Sequence, residues 1–479
     1  VEQMNLFKDM VCYQEEVRDP SRMAEVLNRV IEKAIRGSAP AQINVPRDYW
    51  TQVIDVELPP IIRLERQAGG ADAINEAAKI LSEAKFPVIL SGAGVVIGGA
   101  INDCVKLAEK LDSPVCSGYQ HNDSFPGSHP LAVGPLGYNG SKAAMELIAK
   151  ADVVLALGTR LNPFSTLPGY GIDYWPKNAK IIQVDMNSDR IGLTKKVTVA
   201  ICGDAKMVSQ QLLSKLSPKA GDTDRQKRKD LIHQTKSAWL QKLASLDHEE
   251  DDPGTVWNKE ARERDKDRMS PRQSWRAIQA GMPEDVIISS DIGNNCAIGN
   301  AYPTFEKGRK YLAPGLFGPC GYGFPAILGA KIGCPDTPVI GFAGDGAFGI
   351  SMNEMSSCAR KEWPAITMVI FRNYQWGAEK RNSILWFDDN FVGTELDPEL
   401  SYAKVAEACG LKGVTVKTME ETTKAIKQSC EDQKKGITTF IEIILNQELG
   451  DPFRRDAMKK PVKVAGIKKE DMRPQKALI

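Results

Sequence analysis

Histidine is scarce in this 479-residue chain. The four histidines stand at 121, 129, 233 and 248, and no two of them share the spacing of helical metal ligands, which argues against a zinc site. The ten cysteines contain no C-x-x-C pair, and a disulfide framework or a redox dithiol is not expected. Several of them (Cys202, Cys358, Cys409) lie in apolar stretches, where a reduced thiol is expected to act as a small hydrophobe. Charge of one sign is lacking too. The formal net charge is +1, which gives no global attraction for nucleic acid or an anionic membrane. No apolar run is long enough to span a bilayer and no signal segment opens the chain, so the sequence predicts a cytoplasmic location.

What is present is ample apolar material, and a length that suggests roughly three domains. Residues 20–36 read as an amphipathic helix with Met23, Val26, Leu27, Val30 and Ile31 on one face, followed by a short strand. One helix and one strand cannot bury their faces alone, so residues 1–50 are expected to be the end of a larger domain. The Pro-Pro and Gly-Gly pairs in 51–70 mark a linker. Strands and helices alternate over 71–215 and again over 271–450, the pattern of parallel sheets covered on both faces. The fold class is therefore α/β, with successive doubly wound parallel-sheet domains. Residues 216–270 carry dense mixed charge with Leu231, Trp239, Leu240 and Leu243 as apolar positions, and predict a solvated helical connector. The tail, 451–479, is basic and polar and predicts a solvated terminus.

The informative stretch is 338–378. An apolar strand ends in Gly344-Asp345-Gly346, at the place where open parallel sheets bind ligands. Glycines there allow close approach of a ligand, and a following helix offers free N–H groups to a phosphate. One crossover later a second strand ends at Arg372-Asn373. A right-handed βαβ unit returns it parallel to the first, which brings Asp345 and Asn373 together although 28 positions separate them. A carboxylate and an amide oxygen, completed by a carbonyl and phosphate oxygens, suit Mg²⁺.

A GDG alone is weak. With Asn at the next strand end it resembles the signature of the thiamine-diphosphate enzymes, and further segments extend the likeness to the acetolactate synthase, pyruvate oxidase and decarboxylase group. These are 291–295 (DIGNN), 315–325 (GLFGPCGYGFP) and 125–131 (FPGSHPL). Within that group, 373–382 (NYQWGAEKRN), 386–394 (WFDDNFVGT) and 451–458 (DPFRRDAM) look like the sulfoacetaldehyde acetyltransferase family. The resemblance implies an enzyme that cleaves sulfoacetaldehyde with phosphate, releasing sulfite and acetyl phosphate, with thiamine diphosphate and Mg²⁺ as cofactors. It also implies small-molecule substrates, no nucleic-acid or membrane partner, and a homodimer or homotetramer.

Carried over by position, Asp345, Asn373 and the Gln375 carbonyl would hold the metal. Asn294, Asn295, Gly346, Ala347, Gly377 and Ala378 would contact the diphosphate, and Gly344 is a further cofactor-binding position. The Gly318 carbonyl would face the aminopyrimidine, with Cys320 where relatives place a large apolar residue. The family's activating glutamate finds no match and is expected upstream of Val1, so no catalytic residue is assigned. Sulfonate and phosphate both call for cations, for which Arg372, Lys380, Arg381, Arg454 and Arg455 are candidates. Two alternatives stay open: an acetolactate synthase-like carboligase acting on 2-oxo acids, and a catalytically incomplete cofactor-binding fragment. Ser91–Gly98 has the spacing G-x-G-x-x-x-G, a poor match to a dinucleotide motif.

Overall fold

A computed structural model describes residues 1–60, 64–170, 172–217, 224–246, 263–315, 317–360, 362–386 and 391–449. The chain divides into two compact units, Val1–Glu65 and Arg66–Ile479.

In the first unit, strands β1 (Tyr13–Glu16) and β2 (Ala41–Asn44) pair in parallel, and helix Met23–Gly37 crosses between them. The helix is shorter at its start than the periodicity predicts, because Asp19 caps a 3-10 turn over Pro20–Arg22. Its buried residues are Val26 and Val30, packed with Val17. Leu27 and Ile31, expected on the same buried face, are exposed. Two short strands offer too narrow a surface to cover a wider stripe.

The second unit holds two six-stranded parallel sheets. In the first, β3 (Pro87–Ser91), β4 (Val115–Ser117), β5 (Ala132–Pro135), β6 (Val153–Leu157), β7 (Lys180–Asp185) and β8 (Val199–Cys202) run in the order β5-β4-β3-β6-β7-β8. The order reverses direction between β3 and β6, which opens a crevice at their carboxyl ends. The Ser91–Gly98 turn lies at this edge and packs on the Gly158 backbone. A Cβ on Gly94 would lie 2.7 Å from the Gly158 Cα, so the glycines are used in packing one backbone on another. Cys202 is on edge strand β8 with its side chain outward and exposed, whereas Cys358 is buried and Cys409 intermediate. An edge strand faces the core with alternate residues only, and Cys202 falls on the wrong parity.

The second sheet comprises β9 (Ile287–Ser290), β10 (Tyr311–Leu312), β11 (Val339–Gly344), β12 (Thr367–Arg372), β13 (Lys412–Val416) and β14 (Thr439–Ile444), in the order β10-β9-β11-β12-β14-β13. The central β11 and β12 are buried nearly end to end, which explains their unbroken apolar runs. Trp275, fully buried, packs against Phe342 of β11 and Phe371 of β12 at ring-centroid distances of 4.7 and 5.3 Å. The helix expected after Gly344-Asp345-Gly346 begins at Asp345 itself and is broken: Asp345–Ser351 is α-helical, Met352–Glu354 is a 3-10 turn, and Met355–Cys358 resumes.

Helix Arg225–Leu246 is not the solvated connector its charge suggests. Ile232 joins the core of the first sheet, and Trp239 and Leu243 join the core that includes Trp275. Only Leu240 of the four noted apolar positions is exposed. The tail from 451, with Arg454 and Arg455, lies outside the described residues, as do Leu316 and 387–390.

Candidate active site at the carboxyl ends of β9, β11 and β12

Strands β11 and β12 lie side by side, with Gly344 opposite Phe371. Asp345 and Asn373 therefore leave the sheet at the same edge, and both are almost completely buried. Strand β9 adjoins β11 on the other side and delivers Asp291, Asn294 and Asn295 to this edge. The sheet order reverses between β9 and β11, so the three strand ends frame a switch-point crevice.

Asp345 sits in a dense network. Its Oδ2 accepts from Arg372 Nη1 at 3.1 Å and from the Tyr374 backbone N–H at 2.7 Å, and its Oδ1 accepts from Gly346 N–H at 3.0 Å. Three donors occupy a carboxylate with about four lone-pair sites, leaving room for one further ligand. Burial pushes its pKa up to about 6, against the opposing pull of Arg372. Tyr374 is held at φ +61°, a left-handed conformation that costs about 1–3 kcal/mol for such a residue. Its ring is covered by Arg372 at 4.2 Å and Arg268 at 4.8 Å.

After Tyr374 the chain forms a short antiparallel bridge with 394–396. Leu396 N–H donates to Tyr374 O, and Trp376 N–H donates to Thr394 O. Gln375 and Glu395 are thus the pair whose own backbone groups the bridge does not use, so the Gln375 carbonyl is not consumed by it. Among the described residues no cluster of three or more His, Cys, Asp or Glu could hold a metal. The set gathered here has one carboxylate with amide and carbonyl oxygens, which suits a hard cation such as Mg²⁺.

Several polar atoms around this edge are buried with no hydrogen-bond partner among the described residues: both Asn294 side-chain atoms, Asn295 Oδ1, Gln375 Oε1 and Thr394 Oγ1. Each would cost about 1–3 kcal/mol if left so, and their concentration at one edge fits a polar ligand. The backbone around them is tightly packed. A Cβ on Gly346 would meet the Trp376 ring at 2.9 Å, and one on Gly377 would meet Asn294 Nδ2 at 3.1 Å. Gly344 differs: its backbone is ordinary and nothing stands within 4 Å of a Cβ there, so space does not demand glycine at that position. Ala347 is buried and Ala378 half-buried, in the first turns of helices Asp345–Ser351 and Gly377–Trp386.

Asp291 was legible only as part of a strand-end turn. It is fully buried, and its carboxylate accepts from Ile292 N–H at 2.8 Å, Gly321 N–H at 3.1 Å and Gly323 N–H at 2.7 Å. It ties the end of β9 to the loop carrying Gly318, itself at φ +62°, and the exposed Cys320. The signal in the sequence was an acid at a strand end and a glycine-rich loop, with nothing to say that one holds the other.

Two of the cationic candidates are committed elsewhere. Arg372 is buried between Asp345 and Glu442 (3.7 Å) and also donates to the Asp397 and Leu400 carbonyls. Lys380 pairs with Glu395 and donates to Gln447 Oε1 at 3.3 Å. Both are structural ties here, because burial makes an ion pair the only economical state for such groups. Arg381 lies over the Tyr138 ring, 5.0 Å from its centroid.

Comparison with known proteins bears on the same region. Residues 74–212 match the family model for the thiamine pyrophosphate enzyme central domain, and 291–443 match the C-terminal TPP binding domain. The chain is 76% identical, over all its length and 81% of the other's, to a protein of Rhizobium meliloti (strain 1021) described as "Probable sulfoacetaldehyde acetyltransferase". It is 73% identical to the sulfoacetaldehyde acetyltransferase of Roseovarius nubinhibens, covering 99% of this chain and 79% of the relative. The chain belongs to the thiamine pyrophosphate enzymes.

Among solved structures, benzoylformate decarboxylase from Polynucleobacter necessarius shares the fold. Its TM-score is 0.72 at 19% identity, with 94% of this chain and 78% of that chain covered. As a member of the family the chain uses thiamine diphosphate, and the unpartnered amides beside Asp345 fit its diphosphate end. No helix among the described residues is long and apolar enough to cross a membrane.

Proposed function

We propose that this protein converts sulfoacetaldehyde and phosphate to acetyl phosphate and sulfite, as a cytoplasmic homodimer or homotetramer. The observation that carries the reading is 73–76% identity, over 99–100% of the chain, to proteins described as sulfoacetaldehyde acetyltransferases. The geometry supports it by gathering unpartnered oxygens and amides where a magnesium diphosphate would be held.

Bound thiamine diphosphate supplies a nucleophilic carbon and an electron sink. The chain's own residues hold and orient it. In this reading Asp345, Asn373 and the Gln375 carbonyl take Mg²⁺, while Asn294, Asn295, Gly346, Ala347, Gly377 and Ala378 take the diphosphate. The Gly318 carbonyl would accept from the aminopyrimidine, on a loop that Asp291 fixes and that also carries Cys320. Trp376 packs against Gly346 and would keep water from the diphosphate end, which would strengthen the charge interactions there. No residue of this chain is assigned to activating the cofactor.

The test is an assay of the full-length gene product with thiamine diphosphate, Mg²⁺, sulfoacetaldehyde and phosphate. Sulfite and acetyl phosphate are expected in equal amounts. Absence of sulfite above background, or acetolactate formation from pyruvate in its place, would overturn the assignment.

A further inference from the structure

Arg381 stands one helical turn beyond Gly377 on helix Gly377–Trp386, so the two residues share a face. That face is turned to the cofactor end of the crevice, because Gly377 abuts Asn294. The guanidinium lies over Tyr138, whose ring is 6.2 Å from Tyr119, and Tyr119 is 6.3 Å from Phe164. These aromatics come from the loops that follow β4, β5 and β6, at the carboxyl ends of the first sheet. Arg381 therefore sits where loops of both sheets meet.

Asn300 locks that junction. It follows helix Asn294–Ile298 and is fully buried. Its Oδ1 accepts from Gln120 N–H at 3.1 Å, its Nδ2 donates to Tyr138 O at 3.2 Å, and its carbonyl accepts from Asn122 Nδ2 at 2.9 Å. Two polar atoms at this junction, Gln120 Nε2 and Tyr138 Oη, are buried without a hydrogen-bond partner among the described residues. The Gln120 side chain is only 3% exposed and its backbone is held at φ +58°. Strain of that kind at a polar, buried turn is characteristic of ligand clamps. Burial pushes the Arg381 guanidinium down to about 10, and it remains a cation at neutral pH.

A weakly hydrated, planar cation against aromatic rings, with an amide donor and a phenol nearby, matches an anion that presents several equivalent oxygens. We propose that Arg381, with Gln120 and Tyr138, binds the tetrahedral oxyanion of a substrate, either the sulfonate of the aldehyde or inorganic phosphate. The inference takes its two candidate anions from the proposed function but does not require turnover.

The test is calorimetric titration of the full-length protein, loaded with thiamine diphosphate and Mg²⁺, with 2-hydroxyethanesulfonate in one arm and inorganic phosphate in the other. For Arg381→Gln we expect about a tenfold or greater loss of affinity for one of the two anions, with cofactor affinity unchanged. The anion affected names the source. Arg381→Lys keeps the charge without the fork and should fall between wild type and Arg381→Gln, and it decides the matter if the Gln variant does not fold. Unchanged affinity for both anions in folded variants, no binding of either by wild type, or a parallel loss of cofactor affinity would overturn the proposal. If the binding result holds while the sulfite assay fails, the substrate reading falls and the anion site stands.

Discussion

Arg372 and Asp345 form one ion pair, both buried to 1% exposure, yet their removal should have opposite consequences. Arg372 also faces Glu442 and two backbone carbonyls, so Arg372→Gln strands two buried carboxylates and should cost about 3 kcal/mol of stability. Asp345→Asn leaves Arg372 its remaining partners and removes a carboxylate that burial already disfavours, but its amide NH2 must face one of the N–H donors. We expect it to cost the cofactor-free protein about 1 kcal/mol, well below the cost of Arg372→Gln, while weakening Mg²⁺ binding by about 100-fold or more. Denaturant melts and magnesium titrations of both variants check this, and equal stability losses would contradict it. The two residues also show what one residue reveals in a sequence. Asp345 and Asn373 were legible because each ends an apolar run and the crossover between the runs has a fixed hand. Arg372, beside Asn373, was read as an anion candidate because its neutralising partner Glu442 lies on another strand, β14, 70 positions away.

At the scale of elements, the loop carrying Gly318 and Cys320 owes its place to the carboxylate of Asp291. The carboxylate receives Gly321 and Gly323 from the loop, and Ile292 from its own strand end. Asp291→Asn replaces one acceptor with a donor, which opposes an N–H group, so one loop contact should break at a cost of about 1–3 kcal/mol. The expected result is a thiamine diphosphate affinity lower by about tenfold, that cost being shared between loop order and binding, with Mg²⁺ binding in the absence of thiamine diphosphate little changed. Cofactor titration followed by tryptophan fluorescence measures it. An unaltered cofactor affinity would show that the loop does not depend on the clamp. Elements with nearly unbroken apolar runs, such as β11 and β12, were legible. Strand β5 was not, because Pro130 precedes it and Gly134 interrupts it, and β13 was hidden by Gly410 and Gly413. Helix Arg225–Leu246 differs for another reason: Ile232, Trp239 and Leu243, at i, i+7 and i+11, form one buried face, but that face is narrow and set among dense charges.

On the scale of the whole second unit, the site is assembled from strand ends of one sheet and loops of the other, and the meeting of the two was not readable from sequence. Nothing in the spacing of Tyr138 and Arg381 foretells contact, since it depends on how two separately formed sheets dock. The same arrangement ties stability to ligand. Both Asn294 side-chain polar atoms, Asn295 Oδ1, Gln375 Oε1 and the Thr394 hydroxyl are buried without a partner among the described residues, so a ligand that satisfies them binds the folded state and not the unfolded one. At 100 times its Kd such a ligand adds about 2.7 kcal/mol. Removal of thiamine diphosphate and Mg²⁺ by chelation and dialysis should therefore lower the melting temperature by several degrees and restore it on readdition. The effect should also be local. Hydrogen exchange should quicken on removal at 291–298, 317–323, 345–347 and 373–378, while the carboxyl-terminal half of helix Met419–Gln433 keeps its protection, because Gln433 is bonded to Val339 and Thr367 at the amino-terminal ends of β11 and β12, opposite these strand ends. A uniform change across both regions, or none, would mean that the unpartnered groups are not where the cofactor's binding energy is spent.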